Sequence, residues 1–77
     1  MPNQTAVAFN LKTLRNNSGK TQITVATELH LSIDAYRKWE ANKKSLDIGD
    51  IYRLSKVFNL SPVETFIQLT KGLNDQP

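Results

Sequence analysis

The chain has no cysteine, so a disulfide scaffold and thiolate chemistry are both excluded. It has a single histidine, His30, too little for a His/Cys metal centre. No arrangement of nucleophile and base stands out, so the expectation is a non-enzyme that needs no cofactor and no metal. Only three glycines and three prolines punctuate the sequence, and no linker, repeat or low-complexity stretch separates it into parts. No apolar run approaches the roughly 20 residues that span a bilayer. The opening Met-Pro-Asn-Gln-Thr lacks the basic and apolar regions of a secretory signal, which leads us to expect a cytoplasmic protein without a membrane partner. What is present is 77 residues, 39% of them hydrophobic, enough for one small core. A domain of this size buries only about 60% of its unfolded surface, so that core has to be economical.

The net charge is +3, and it is unevenly placed. Residues 12–44 hold Lys12, Arg15, Lys20, Arg37, Lys38, Lys43 and Lys44 against Glu28, Asp34 and Glu40, a net of +4. Residues 45–77 hold Arg53, Lys56 and Lys71 against Asp47, Asp50, Glu64 and Asp75, a net of −1. A basic first half suits an anionic partner, although charge alone supports a merely solvated face equally well.

The apolar residues follow helical spacing, and the β-branched ones show no period-2 alternation. Val7, Leu11 and Leu14 predict a first helix over about 6–17, stopped by Asn16-Asn17-Ser18-Gly19. Thr21 is a good N-cap for a second helix over about 21–29, with Val25, Ala26 and Leu29 inward. Ser32 caps a third over about 32–41, with Tyr36 and Trp39 inward and Asn42 placed for a left-handed exit. A fourth spans about Ile48 to Phe58. Ser61-Pro62-Val63-Glu64 combines a capping-box pattern with proline at the first helical position and opens a fifth helix, ended by Gly72. The expectation is an all-α, compact five-helix domain over 6–72, with tails at 1–5 and 73–77.

From Leu11 onward the order of residues resembles the phage repressor/Cro type of helix-turn-helix domain, the xenobiotic-response-element-like family. The resemblance rests on Leu11-Lys12-x-Leu14-Arg15, Thr21-Gln22, Ala26, Leu31-Ser32, Trp39-Glu40 and Asn42-Lys43, in register over about residues 11–67. Two helices crossing through a short turn need a small residue where they touch, and Ala26 supplies it. Where the family has glycine in the turn this chain has His30, and where it has Asn-Gly after Glu40 this chain has Ala41-Asn42; His and Asn are both tolerant of positive φ.

The resemblance implies a docking mode in which helix 2 meets the phosphate backbone and helix 3 enters the major groove. It assigns base reading to Ile33, Asp34, Arg37 and Lys38, and phosphate contact to Thr21, Gln22, Ser32, Asn42, Lys43 and Lys44. Arg37 and Lys38 can donate to guanine O6 and N7, and Ile33 can pack on a thymine methyl. Asp34 has two readings: acceptor for cytosine N4, or a helix-start carboxylate that also pairs with Lys38 one turn on. Arg15 and Glu40 match a structural ion pair between helix 1 and the end of helix 3.

Other motifs weigh less. Ser18-Gly19-Lys20-Thr21 looks like the tail of a phosphate-binding loop, but the full motif needs glycine where Leu14 stands. Asp47 and Asp50 suit a helix start better than a catalytic pair, and Tyr36 and Trp39 suit the core better than a base-stacking platform. The resemblance implies a sequence-specific regulator of transcription, a repressor, acting as a homodimer on an inverted-repeat site in double-stranded DNA. It leaves open an antitoxin or protein-binding adaptor on the same fold, whose protein partner covers the apolar surface of helices 4 and 5.

Overall fold

The computed structural model describes residues 4–72, with the side chains of residues 4 and 5 left aside. Among these residues the chain forms α1 (Gln4–Asn17), α2 (Gln22–Glu28), α3 (Ile33–Glu40), α4 (Ile48–Phe58) and α5 (Pro62–Leu69), and no strand. α1 starts two residues earlier than its apolar spacing suggests, so residues 4 and 5 are helical rather than tail. α5 stops at Leu69, three residues short of Gly72. The remainder of the two expected tails, residues 1–3 and 73–77, lies outside the described residues.

The helix starts follow from side-chain chemistry. Thr21, Ser32 and Ser61 are N-caps whose hydroxyls accept from Thr24, Ala35 and Glu64 backbone N–H groups at 3.0–3.1 Å. The reciprocal capping box sits at α4 rather than at α5. There Asp47 Oδ1 accepts from Asp50 N at 2.8 Å while Asp50 Oδ2 accepts from Asp47 N at 3.0 Å. Glu64, expected to reach back to Ser61, instead accepts from Gln68 one turn ahead.

The helix ends share one device. Gly19, His30, Asn42 and Asn59 have φ of 72°, 60°, 60° and 61°. Each left-handed residue donates its N–H to a carbonyl three residues back, and the next residue donates to one five back: Lys20 to Arg15, Leu31 to Ala26, Lys43 to Lys38 and Leu60 to Ser55. This paired closure satisfies the last helix carbonyls and turns the chain sharply. Leu31 and Leu60 then point back against the core.

The core comprises Leu11, Val25, Ala26, Leu29, Tyr36, Trp39, Leu54, Phe58 and Leu69. α3 packs against α1 and α2, and α5 packs against α1 and α4. The Tyr36 and Trp39 rings lie 5.9 Å apart at 56°, a tilted aromatic pair at the centre. Asn10 on α1 donates to the carbonyls of Leu69 and Lys71 at 2.9 and 2.8 Å, a side-chain clasp on the end of α5.

His30 is exposed and left-handed, so its Cβ strains the turn with no compensating burial. Left-handed backbone costs a non-glycine residue about 1–2 kcal/mol, part of which glycine's greater unfolded entropy cancels. His30→Gly is expected to stabilise the fold by about 0.5–1 kcal/mol, raising Tm by several degrees on thermal denaturation. A lower Tm would show that the imidazole contributes something the turn needs.

Candidate nucleic-acid interface

The site is organised by one buried carboxylate. Glu40 ends α3, with its side chain only 4% exposed, and its two oxygens receive four donors. Arg15 Nε donates to Oε2 at 2.6 Å and Arg15 Nη2 to Oε1 at 3.1 Å, a two-pronged pair from α1. Tyr36 Oη donates to Oε2, and Gln22 Nε2 donates to Oε1 at 3.0 Å. The remaining Arg15 nitrogen, Nη1, donates to Lys20 O at 3.0 Å, tying the α1–α2 turn to the same group.

Electrostatics follow this geometry. Burial pushes the Glu40 carboxyl up, but hydrogen bonds from Arg15, Tyr36 and Gln22 outweigh burial and hold it below its ordinary range. The hydrogen bond to Glu40 raises the Arg15 guanidinium against the opposing effect of burial. Burial, then the neighbouring carboxylate, pushes the Tyr36 hydroxyl well above its usual value, so it remains a donor.

The outer surface of α3 carries Asp34, Arg37 and Lys38, all exposed. Asp34 faces Arg37 rather than Lys38: its Oδ1 lies 3.9 Å from Arg37 Nη1, a loose pair three residues apart with both side chains largely in water. Ile33 is half-buried and packs against the core, so only part of its side chain remains for any outside contact. On α2, the Thr21 hydroxyl is committed locally, accepting from Thr24 N and donating to Thr24 Oγ1 at 2.9 Å. Gln22 is half-buried, and its Oε1 accepts from Arg37 Nε at 3.3 Å. Ser32 accepts from Ala35 N as a cap and is exposed. Asn42 holds the left-handed exit of α3, and Lys43 and Lys44 follow it on the surface.

Two acids of the basic half are consumed internally, Glu40 by Arg15 and Glu28 by Lys20 at 3.2 Å. The cations that remain without an ion pair among the described residues of that half are Lys12, Lys38, Lys43 and Lys44, and Arg37 is only loosely paired. Three of these four, with Arg37, lie on or just after α3. Lys20 of the phosphate-loop-like stretch faces Glu28, and its Gly19 is the left-handed exit of α1. Asp47 and Asp50 are the capping box of α4, with Asp50 also accepting from Arg53.

A separate apolar groove lies between α4 and α5, lined by Ile48, Ile51, Tyr52, Pro62, Val63 and Phe66. Among the described residues no group of three or more His, Cys, Asp or Glu is placed to hold a metal, and no helix is long and apolar enough to cross a membrane.

Neither a curated protein nor a solved structure gives a significant match to this sequence. A family model described as helix-turn-helix does match, over residues 11–65, which takes in α2, α3 and α4 entire with the second half of α1 and the first half of α5. The chain therefore belongs to the helix-turn-helix family of the Cro/C1 type, a family of DNA-binding regulators.

Proposed function

We propose that the chain is a sequence-specific regulator of transcription, a cytoplasmic repressor, that binds double-stranded DNA as a homodimer and reads the major groove with α3. The observation that carries this reading is the disposition of charge. Of the three acids in the basic half, Glu40 is paired with Arg15 in the interior and Glu28 with Lys20, which leaves only the loosely paired Asp34, while Arg37, Lys38, Lys43 and Lys44 stay on the surface of α3 and its exit. Arg37 and Lys38 are the base-reading cations, with Asp34 and the exposed part of Ile33 beside them. Lys43 and Lys44 are the phosphate grips, aided by Asn42, Ser32, Thr21 and Gln22. The chain acquires a binding role by this reading and no reaction.

Dimerisation is supported by two arguments. One copy of so small a domain reads too few base pairs to find a site among a genome's competitors. The fold also leaves Ile48, Tyr52, Val63, Phe66 and Ile67 exposed on α4 and α5, the kind of apolar face a partner covers. A two-fold dimer on an inverted repeat needs its two α3 helices about 34 Å apart. The same face also suits the antitoxin or adaptor reading, in which a different protein occupies it.

Selection of bound duplexes from a random pool tests the proposal directly. Inverted repeats with half-site centres about 10 base pairs apart are expected. Affinity should fall steeply as salt rises, because phosphate contacts release counterions. Lys43→Ala should weaken all sequences about equally and lower the salt slope by about one. Binding indifferent to salt would remove the DNA reading. Selected sites without symmetry, from a protein that is monomeric alone, would favour the adaptor.

A further inference from the structure

Gln22 stands between the buried ion pair and the exposed guanidinium of α3, and it uses both ends of its amide. Its Nε2 donates inward to Glu40 Oε1 at 3.0 Å, and its Oε1 accepts from Arg37 Nε at 3.3 Å. The direction of this amide is set by chemistry. An ionised carboxylate only accepts, so Glu40 requires the NH2 end, and the carbonyl end is left outward. That oxygen can receive only a donor, and Arg37 from the next helix supplies one. The guanidinium is thus held at Nε from α2 and, more loosely, at Nη1 by Asp34 on its own helix.

We infer that Gln22 is a positioning residue for Arg37: it fixes the guanidinium by Nε, leaves Nη2 and the loosely held Nη1 to face a base edge, and so sets the sequence choice made by α3. The inference rests on the reading of Arg37 as a base contact. A long arginine side chain loses rotamer freedom when it binds, and holding it in advance removes part of that cost. Both the carbonyl oxygen and one amide hydrogen of Gln22 are engaged. The side chain therefore has a single hydrogen left for a phosphate, and its main role is toward Arg37.

The test uses Gln22→Met, which keeps length and volume but neither donates nor accepts at that place. Against the preferred duplex and its single-base-pair variants, affinity for the preferred site should fall about 5- to 10-fold. Discrimination at the Arg37 base pair should fall by the same factor, with the salt slope unchanged. In an Arg37→Ala background, Gln22→Met should change discrimination less than about 2-fold, because the group it positions is gone. In the free protein, NMR should show a protected Arg37 Nε–H that is lost in Gln22→Met while the Arg15 Nε–H persists, which also verifies the fold. Uniform weakening of all duplexes, with discrimination at every base pair unchanged, would make Gln22 a phosphate contact and overturn the inference. So would unchanged discrimination. If Arg37→Ala itself alters no sequence preference, the reading of α3 fails and takes this inference with it. If Arg37→Ala alters preference and Gln22→Met does not, only the role of Gln22 is lost.

Discussion

Glu40→Ala is expected to destabilise the domain by about 3–5 kcal/mol, the cost of leaving a desolvated charge without its partner. Three residues lose the acceptor of four hydrogen bonds at once: Arg15, Tyr36 and Gln22. The Arg15 side chain is only 10% exposed, so water cannot readily replace the carboxylate. At about 0.05–0.15 kcal/mol per residue, total stability for a domain of this size is about 4–12 kcal/mol. The variant should therefore unfold at much lower denaturant, or be largely unfolded at room temperature. Replacing both Arg15 and Glu40 by leucine should recover only part of the loss, since Tyr36 and Gln22 still lack a partner. Urea denaturation that shifts by less than about 1 kcal/mol for Glu40→Ala would contradict this account.

The pH dependence of the same group has a definite sign. Its folded pKa lies below the unfolded value near 4.3. The stabilisation is thus fully present above that unfolded value and is lost as pH falls through the lower folded one. Acid unfolding measured against pH should show this limb in the parent protein and a flatter one in Glu40→Gln.

Arg37→Ala is expected to cost about 1–3 kcal/mol of affinity per half-site for the preferred sequence. A two-fold dimer contributes two such arginines, so the effect on the whole operator is correspondingly larger. Choice should relax at one base pair in each half, the mark of a lost bidentate contact to guanine. Binding to unrelated sequence should fall far less, because Lys43 and Lys44 are untouched. Competition between the selected duplex and its single-base variants reads both effects together. Unchanged preference would show that α3 is not the reader.

Much of the fold is legible in the sequence. The caps Thr21, Ser32 and Ser61 and the left-handed His30 and Asn42 act within a few residues of themselves, so sequence shows them directly. The end of the fourth helix at Phe58 is legible too, but not the left-handed conformation of Asn59 that makes it, since a lone asparagine between two apolar residues carries no turn pattern. The capping box was misplaced because Ser61-x-x-Glu64 has the familiar letters, whereas Asp47-x-x-Asp50 makes the bonds. Of the two readings of Asp34, the helix-start one fits its place in the first turn of α3, but the cation it faces is Arg37 and not Lys38. The amide bridge of Gln22 and the clasp of Asn10 were out of reach for a different reason. Both depend on how separate helices cross, α2 with α3 in one case and α1 with α5 in the other, and no local pattern records that.

The repeated closure at Gly19, His30, Asn42 and Asn59 also bears on how quickly the chain reaches its structure. Four of its reversals are written within six-residue windows, so little loop-closing entropy has to be met before successive helices meet. Chains rich in such local contacts fold in microseconds to milliseconds. The exception is the clasp of Asn10 on Leu69 and Lys71, 59 and 61 residues away along the chain. Among the hydrogen bonds of the described residues it closes the longest loop, and so the one with the largest loop-closing entropy.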